Sequence, residues 1–324
     1  MPYSDARGRG RLGQAYHLAR YKLAYRHAFA DVKYRSFSRI RAMVERELGS
    51  VSGKKLLEIG SGQWRTNILL FAALGADILG VDPESPPDGI LEYLAYARSV
   101  GWQRAVKTAM SEAMLGGRFR RRLAELSGLP IPDARGRVHR GEAERLPLDD
   151  TSVDAVFSDD VFEHLRDVEA VTAEMRRVLK PGAPAVVIIH PFTAYSGGHH
   201  PATIDHGSGQ HGAIPPWDHL RERRHPAGVY LNGLRCADYR SILERHLEIV
   251  DWDIPAREGE AYLTSEVLAD LEARGYRRDE LLIGKIICLA RRPAGTASPV
   301  DEAMSGPGAD AAGLAARRDT RRSA

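Results

Sequence analysis

Two hydrophobic periods alternate along the chain, and the changes between them divide it. Residues 12 to 48 carry Tyr16, Leu23, Phe29, Val32, Ile40 and Val44 among arginines, a spacing that predicts a helix with an apolar stripe. From residue 54 the period shortens. "KLLEI" reads as a strand, "TNILLFAALG" as a helix stopped by Gly75, and "DILGVD" as a second strand ending at Asp82. Strand, helix and strand within about thirty residues make a βαβ unit, the start of a parallel sheet.

Residues 89 to 136 break this rhythm with a helical composition too long for a simple crossover, and they read as an inserted helical cap. "RVHRG" and "SVDAVFSD" then supply the third and fourth strands. "VEAVTAEMRRVL" is an amphipathic helix with Val168, Val171, Met175 and Val178 on one face, stopped by Lys180, Pro181 and Gly182. "APAVVIIH" is the fifth strand, and "LEIVDWDI" and "LLIGKIICLA" complete the set. Beyond Pro293 the residues are mostly Ala, Gly, Ser, Pro and Arg without periodicity, the composition of a disordered tail. The expected organisation is an N-terminal helical lid over 1–50 and a main α/β domain over 51–292, then a disordered tail over 293–324. Within the main domain lie the insertion at 89–136 and a histidine-rich loop at 190–235, read as a candidate substrate loop.

Composition changes this picture little. A chain of 324 residues with 43% hydrophobic and 27% charged positions has the make-up of a soluble globular protein. Its formal charge of +3 does not imply a nucleic-acid partner, and the arginines of the first fifty residues read as a solvated helix face. No stretch approaches the roughly 20 apolar residues that span a bilayer. The amino terminus lacks the apolar core of a secretory signal, and two cysteines, Cys236 and Cys288, build no disulfide framework. The expected location is the cytoplasm.

Candidate chemistry clusters where the strands end, because open parallel sheets bind ligands beyond their carboxyl edges. Gly60, Ser61 and Gly62 follow the first strand, Asp82 ends the second, Glu142 follows the third, and Ser158 and Asp159 end the fourth. Glycines in the first turn let backbone N–H groups approach a ligand, and a carboxylate at position 82 can accept from two adjacent ribose hydroxyls. The turn lacks the third glycine of a dinucleotide fingerprint and has Arg65 in its place, which counts against NAD.

The segments "LLEIGSGQ", "LGVDPES", "GEAERLPLDDTSVDAVFSDDVFEHL" and "EMRRVLKPGAPAVVIIHP" together resemble the class I S-adenosylmethionine-dependent methyltransferases, and more narrowly their type 11-like group. The resemblance covers residues 54 to 192, interrupted by the insertion. It implies a Rossmann-like seven-stranded, mostly parallel sheet with helices on both faces, and S-adenosyl-L-methionine as cofactor. It also implies that Glu58, Gly60, Ser61 and Gly62 surround the methionyl part and that Asp82 holds the ribose. Glu142 and the Ala143 backbone would meet the adenine, and Ser158 and Asp159 would lie beside the sulfonium. Gln63 and Trp64 depart from the small residues usual after the turn, and Glu142 stands where the family commonly has Asp.

After the fifth strand, "HPFTAYSGGHHPATIDHGSGQHGAIPPWDHL" holds six of the twelve histidines. Transfer to oxygen or nitrogen needs alignment with the S–CH₃ bond and usually a base, for which neutral histidine is suited near pH 7. His199 and His200, after two glycines taken as flexible, are the first candidates, followed by His190; Tyr195 and Trp217 are candidate substrate contacts. No metal is expected, because H-E-x-x-H is absent and adjacent histidines in an extended segment point apart. Glu163 and His164 read as a helix cap at least as readily as a catalytic part.

These readings give methyl transfer to O or N of a small or medium-sized metabolite, in the biosynthesis of a secondary metabolite or surface glycan. Two alternatives stay open. One is a methyltransferase fold repurposed for a non-methylating displacement or cyclisation; the other is a non-catalytic subunit that binds a protein partner or a second copy of the chain. Nucleic acid is not an expected substrate, since "SDDVFEH" stands where N/D-P-P-Y/F would be found.

Overall fold

A computed structural model describes residues 26–89, 92–200, 203–205, 210–212, 214–226 and 228–295. The anticipated tail from 296 onward, the first 25 residues and His206 lie outside the described residues.

Seven strands form one sheet. In chain order they are β1 (Lys55–Ile59), β2 (Asp77–Val81), β3 (Val138–His139), β4 (Ala155–Asp159), β5 (Pro184–Ile189), β8 (Glu248–Arg257) and β9 (Ile283–Arg291); β6 (Ile204–Asp205) and β7 (Gln210–His211) pair separately. The sheet order is β3-β2-β1-β4-β5-β9-β8, with the first five strands parallel and β9 antiparallel to both its neighbours. This is the expected mostly parallel architecture. Strand order reverses between β1 and β4, so the crevice beyond those two strands is the natural ligand site.

The strands are legible because both faces of the central ones are covered. All of β5 is buried and so are Leu56 to Ile59 of β1, which explains why they read as apolar runs without alternation. One face packs on α6 (Val168–Val178) through Val168, Val171, Met175 and Val178, and on α7 (Cys236–His246) through Tyr239 and Leu243. The opposite face packs on α1 (Arg26–Leu48) through Ala30, Phe37, Ile40 and Val44, and on α2 (Thr66–Ala73). Helix α1 is therefore a layer of the core over its described length rather than a separable cover.

The insertion folds as α3 (Glu92–Val100) and a long helical rod made of α4 (Trp102–Ser111), a π turn (Glu112–Gly116) and α5 (Gly117–Ser127). Its Phe119 meets Trp64 at a ring-centroid distance of 4.9 Å, and Trp64 meets Phe29 of α1 at 6.1 Å. Trp64 thus ties the glycine turn to α1 and to the insertion, which accounts for a bulky residue there. Trp102, Val106, Met110 and Met114 lie exposed along the rod. Two short helices, α8 (Ser265–Ala273) and α9 (Arg278–Leu281), precede β9. Among the described residues no helix is long and apolar enough to cross a membrane.

Candidate active site

The glycine turn is built by backbone conformation that only glycine adopts without strain. Gly60 has φ +77°, and a Cβ there would meet Val161 Cγ2 at 2.3 Å; Gly62 has φ +62° and faces open space. So Gly60 serves close packing of β1 against the segment after β4, whereas Gly62 leaves an open face. Asp82 organises this turn. Its Oδ2 accepts from Gly62 N at 2.7 Å and its Oδ1 from Glu84 N at 2.8 Å, and each oxygen keeps a lone pair for a ligand hydroxyl. Burial raises the Asp82 carboxyl above its ordinary value despite these donors. Arg65, in a left-handed conformation at the start of α2, reaches Ser85 Oγ and pairs with Asp88, anchoring the loop after β2.

Glu58 lies wholly inside. Asn67 Nδ2 donates to its Oε1 at 2.7 Å, while Oε2 has no partner; burial pushes the carboxyl up to about 8. Three further buried polar atoms near the strand ends also lack partners: Ser61 Oγ, Gln63 Nε2 and Asp159 Oδ1. Acceptors on Glu58 and Asp159 suit an ammonium, and donors on Ser61 and Gln63 suit a carboxylate. The chemistry left unsatisfied is that of an amino-acid zwitterion, and it fits the methionyl end of S-adenosylmethionine.

The other expected cofactor residues take different places. Glu142 is exposed past the end of β3, which is only two residues long, and Ala143 packs its side chain into the core. Ser158 is fully buried and its hydroxyl donates to Ile59 O at 3.1 Å, so it ties β1 to β4 instead of facing a ligand. Asp159 accepts from Ser36 of α1 at 2.9 Å; burial, then the adjacent Asp160, raise its carboxyl. Burial acts on Asp160 as well, but Lys285, at 2.7 and 2.8 Å from its two oxygens, holds that carboxyl below its ordinary value.

The histidines separate into two groups. His199 adopts φ +51°, so it is not extended, and its ring lies 4.8 Å from that of His190 and 4.9 Å from that of His164. His200 points elsewhere, lining a small cavity with Tyr195, Thr203, Trp217 and His225. The glycines before them are buried and closely packed: a Cβ on Gly197 would lie 2.5 Å from Phe192 O and one on Gly198 2.7 Å from the His219 ring. Tyr195 and Trp217 are buried in a satellite core with Leu220, Leu271 and Leu281. Their polar ends are satisfied internally, Tyr195 Oη donating to Thr203 O at 2.9 Å and Trp217 Nε1 to Thr193 O at 3.1 Å. They pack the loop from within and also line the small cavity beside His200.

Glu163 was legible only as half of "EH", with nothing in its spacing to mark it as central. It is fully buried, neither carboxyl oxygen has a hydrogen bond of ordinary geometry, and burial pushes it up to about 8. Ser196 and Glu258 also escaped the sequence reading. Ser196 Oγ lies 2.9 Å from His190 Nε2 and donates to Glu258 Oε1 at 2.7 Å, and Ser196 N donates to the same oxygen at 2.8 Å. Glu258 comes from the segment after β8, some sixty residues away, and no local motif connects them.

Residues 57–187 match the family described as a methyltransferase domain. No curated protein matches the chain. Among solved structures, it is similar to an S-adenosylmethionine-dependent methyltransferase from Mesorhizobium loti, 18% identical, with 79% of this chain and 96% of that one covered and a TM-score of 0.44. It is similar to a 4+2 cyclase at 18% identity, covering 79% of this chain and 82% of that one, TM-score 0.40. A geranyl diphosphate C-methyltransferase from Streptomyces coelicolor is 15% identical, with 79% and 76% covered and a TM-score of 0.42.

Proposed function

We propose that this chain, in which residues 57–187 form a class I S-adenosylmethionine-dependent methyltransferase domain, transfers a methyl group to an oxygen or nitrogen of a small or medium-sized metabolite. The observation that carries the cofactor half of this reading is the set of unpartnered buried atoms on Glu58, Ser61, Gln63 and Asp159 beside the open face of Gly62. When bound, S-adenosylmethionine supplies a methyl group made electrophilic by its sulfonium. Asp82 orients the ribose through its two remaining lone pairs, and the Glu58 carboxylate, once ionised, holds the ammonium.

The chain's own task is then to align the acceptor and remove its proton. His190 is the base that the geometry favours among the three expected. Ser196 gives its hydroxyl proton to Glu258, so its oxygen can only accept from His190 Nε2–H. That bond fixes the tautomer and leaves Nδ1 unprotonated to take the acceptor's proton. Glu258, held below its ordinary carboxylate value by His190 and Ser196 against the opposing effect of burial, stays anionic and stabilises the imidazolium that forms. Ser196 and Glu258 are positioning residues.

The experiment is turnover with panels of hydroxyl- and amine-bearing acceptors, followed by mass. Methyl transfer yields S-adenosylhomocysteine and a product heavier by one CH₂; a rearranged product of unchanged mass, with no cofactor consumed, identifies the cyclisation alternative. His190→Ala is expected to lower kcat by about 10²- to 10⁴-fold, with cofactor affinity kept. Glu258→Gln should shift the pH–rate profile, and turnover unchanged in His190→Ala removes His190 as the base.

A further inference from the structure

We propose that Glu163, His164 and His199 form a binding site for one divalent transition-metal ion, at the carboxyl ends of β4 and β5. One ligand atom from each residue lies within 4.8 Å of the other two, and His199 Nε2 is 3.9 Å from Glu163 Oε1. Three of the atoms converging here, both carboxyl oxygens of Glu163 and His199 Nε2, are buried without a hydrogen bond of ordinary geometry, with only the backbone N–H groups of Glu163 and His190 facing the carboxyl. Buried polar atoms are as a rule hydrogen-bonded, so three poorly satisfied ones in one place call for an occupant. Metal–ligand bonds of about 2.0–2.2 Å put neighbouring ligand atoms roughly 3.3–3.5 Å apart, and the present spacing closes to that by small side-chain rotations.

The surroundings hold His164 in a binding tautomer and fix the turn that carries it. His164 Nδ1 lies 2.9 Å from Tyr230 O; a carbonyl only accepts, so the proton is on Nδ1 and the lone pair of the neutral ring is on Nε2. Asn232 fixes the turn that carries both Glu163 and His164. Its Nδ2 donates to Phe162 O at 2.7 Å and to Leu165 O at 3.2 Å, its backbone N donates to Glu163 O at 3.0 Å, and Tyr239 Oη donates to its Oδ1 at 2.9 Å. Across the cluster, the His190 ring lies 4.8 Å from that of His199, tilted by 31°. Two imidazoles and a carboxylate suit zinc, iron(II), cobalt(II) or manganese(II) better than calcium or magnesium. Three protein ligands leave positions open for water or for an oxygen donor of the acceptor. The site does not depend on the cofactor reading, since it is built from residues outside the glycine turn.

The test uses the full chain stripped with a chelator and titrated with Co²⁺ or Zn²⁺ alone, without cofactor or acceptor. One equivalent of Co²⁺ is expected to bind with visible absorption, and His199→Ala and Glu163→Gln are expected to weaken it by about 100-fold or more. His139→Ala, on an exposed histidine away from the cluster, should bind as the parent does. X-ray absorption of the zinc-loaded parent should show two imidazole ligands with oxygen, a readout independent of whether any variant folds. No bound Co²⁺, affinity unchanged in both ligand variants, or fewer than two imidazoles on zinc overturns the proposal.

Discussion

Glu58 carries its charge state as a consequence of where β1 ends. With one oxygen on Asn67 and the other bare, the buried carboxyl titrates near 8 instead of 4.5. A carboxyl raised in the folded state binds a proton that the unfolded chain has released, so its stabilising share is complete below pH 4.5 and is lost as pH rises towards 8. Thermal melts of the unliganded protein should therefore fall across that window, and Glu58→Gln should flatten the slope; comparing the two proteins isolates Glu58 from Glu163. If Glu58 ionises to hold an ammonium, calorimetry near pH 7 in buffers of different ionisation enthalpy should show proton release in the parent that is reduced in Glu58→Gln. An identical pH slope in both proteins would contradict this assignment. At this scale Gly60, Gly62 and Asp82 were legible because they stand in a local motif. Asn67, Ser196, Glu258 and Asn232 were not, because each acts through a partner that only the fold brings near.

Among the elements, the glycine turn and its two helical neighbours form one packed unit. Phe29 of α1, Trp64 of the turn and Phe119 of the insertion share a single aromatic cluster beside the site. Truncating a half-buried tryptophan in such a cluster costs about 2–4 kcal/mol. Trp64→Ala should accordingly lower the denaturant midpoint with little change in its slope, and an unchanged midpoint would mean that the turn, α1 and the insertion are not joined there. The strands were legible as short apolar runs, and α6 by its stripe of Val168, Val171, Met175 and Val178. The loop after β5 was not. Its aromatic residues are spaced without period and close on each other and on α8, so Tyr195 and Trp217 read as candidate substrate contacts, and that they also form a satellite core was not visible.

For the whole molecule, sheet order places the glycine turn, Asp159 and the Glu163–His164–His199 cluster around one crevice where strand order reverses. Right-handed crossovers alone do not set that order, least of all β9 between β5 and β8, but the motifs at the ends of β1 and β2 made the glycine-turn side of the crevice an expectation of the sequence. The opposite side was not, because residues from the ends of β4, β5 and β8 meet there without sequence proximity. Among the described residues, Trp102, Val106, Met110 and Met114 form an exposed apolar line along the helical rod.

Cofactor binding by the glycine turn is the premise on which the remaining chemistry depends. Calorimetric titration of the full chain with S-adenosylhomocysteine, repeated on Asp82→Ala, tests it most directly. One bound ligand with about micromolar affinity (roughly −8 kcal/mol), lost in a variant whose circular dichroism matches the parent, is the predicted result. No binding by the parent, or equal binding by Asp82→Ala, would contradict the account.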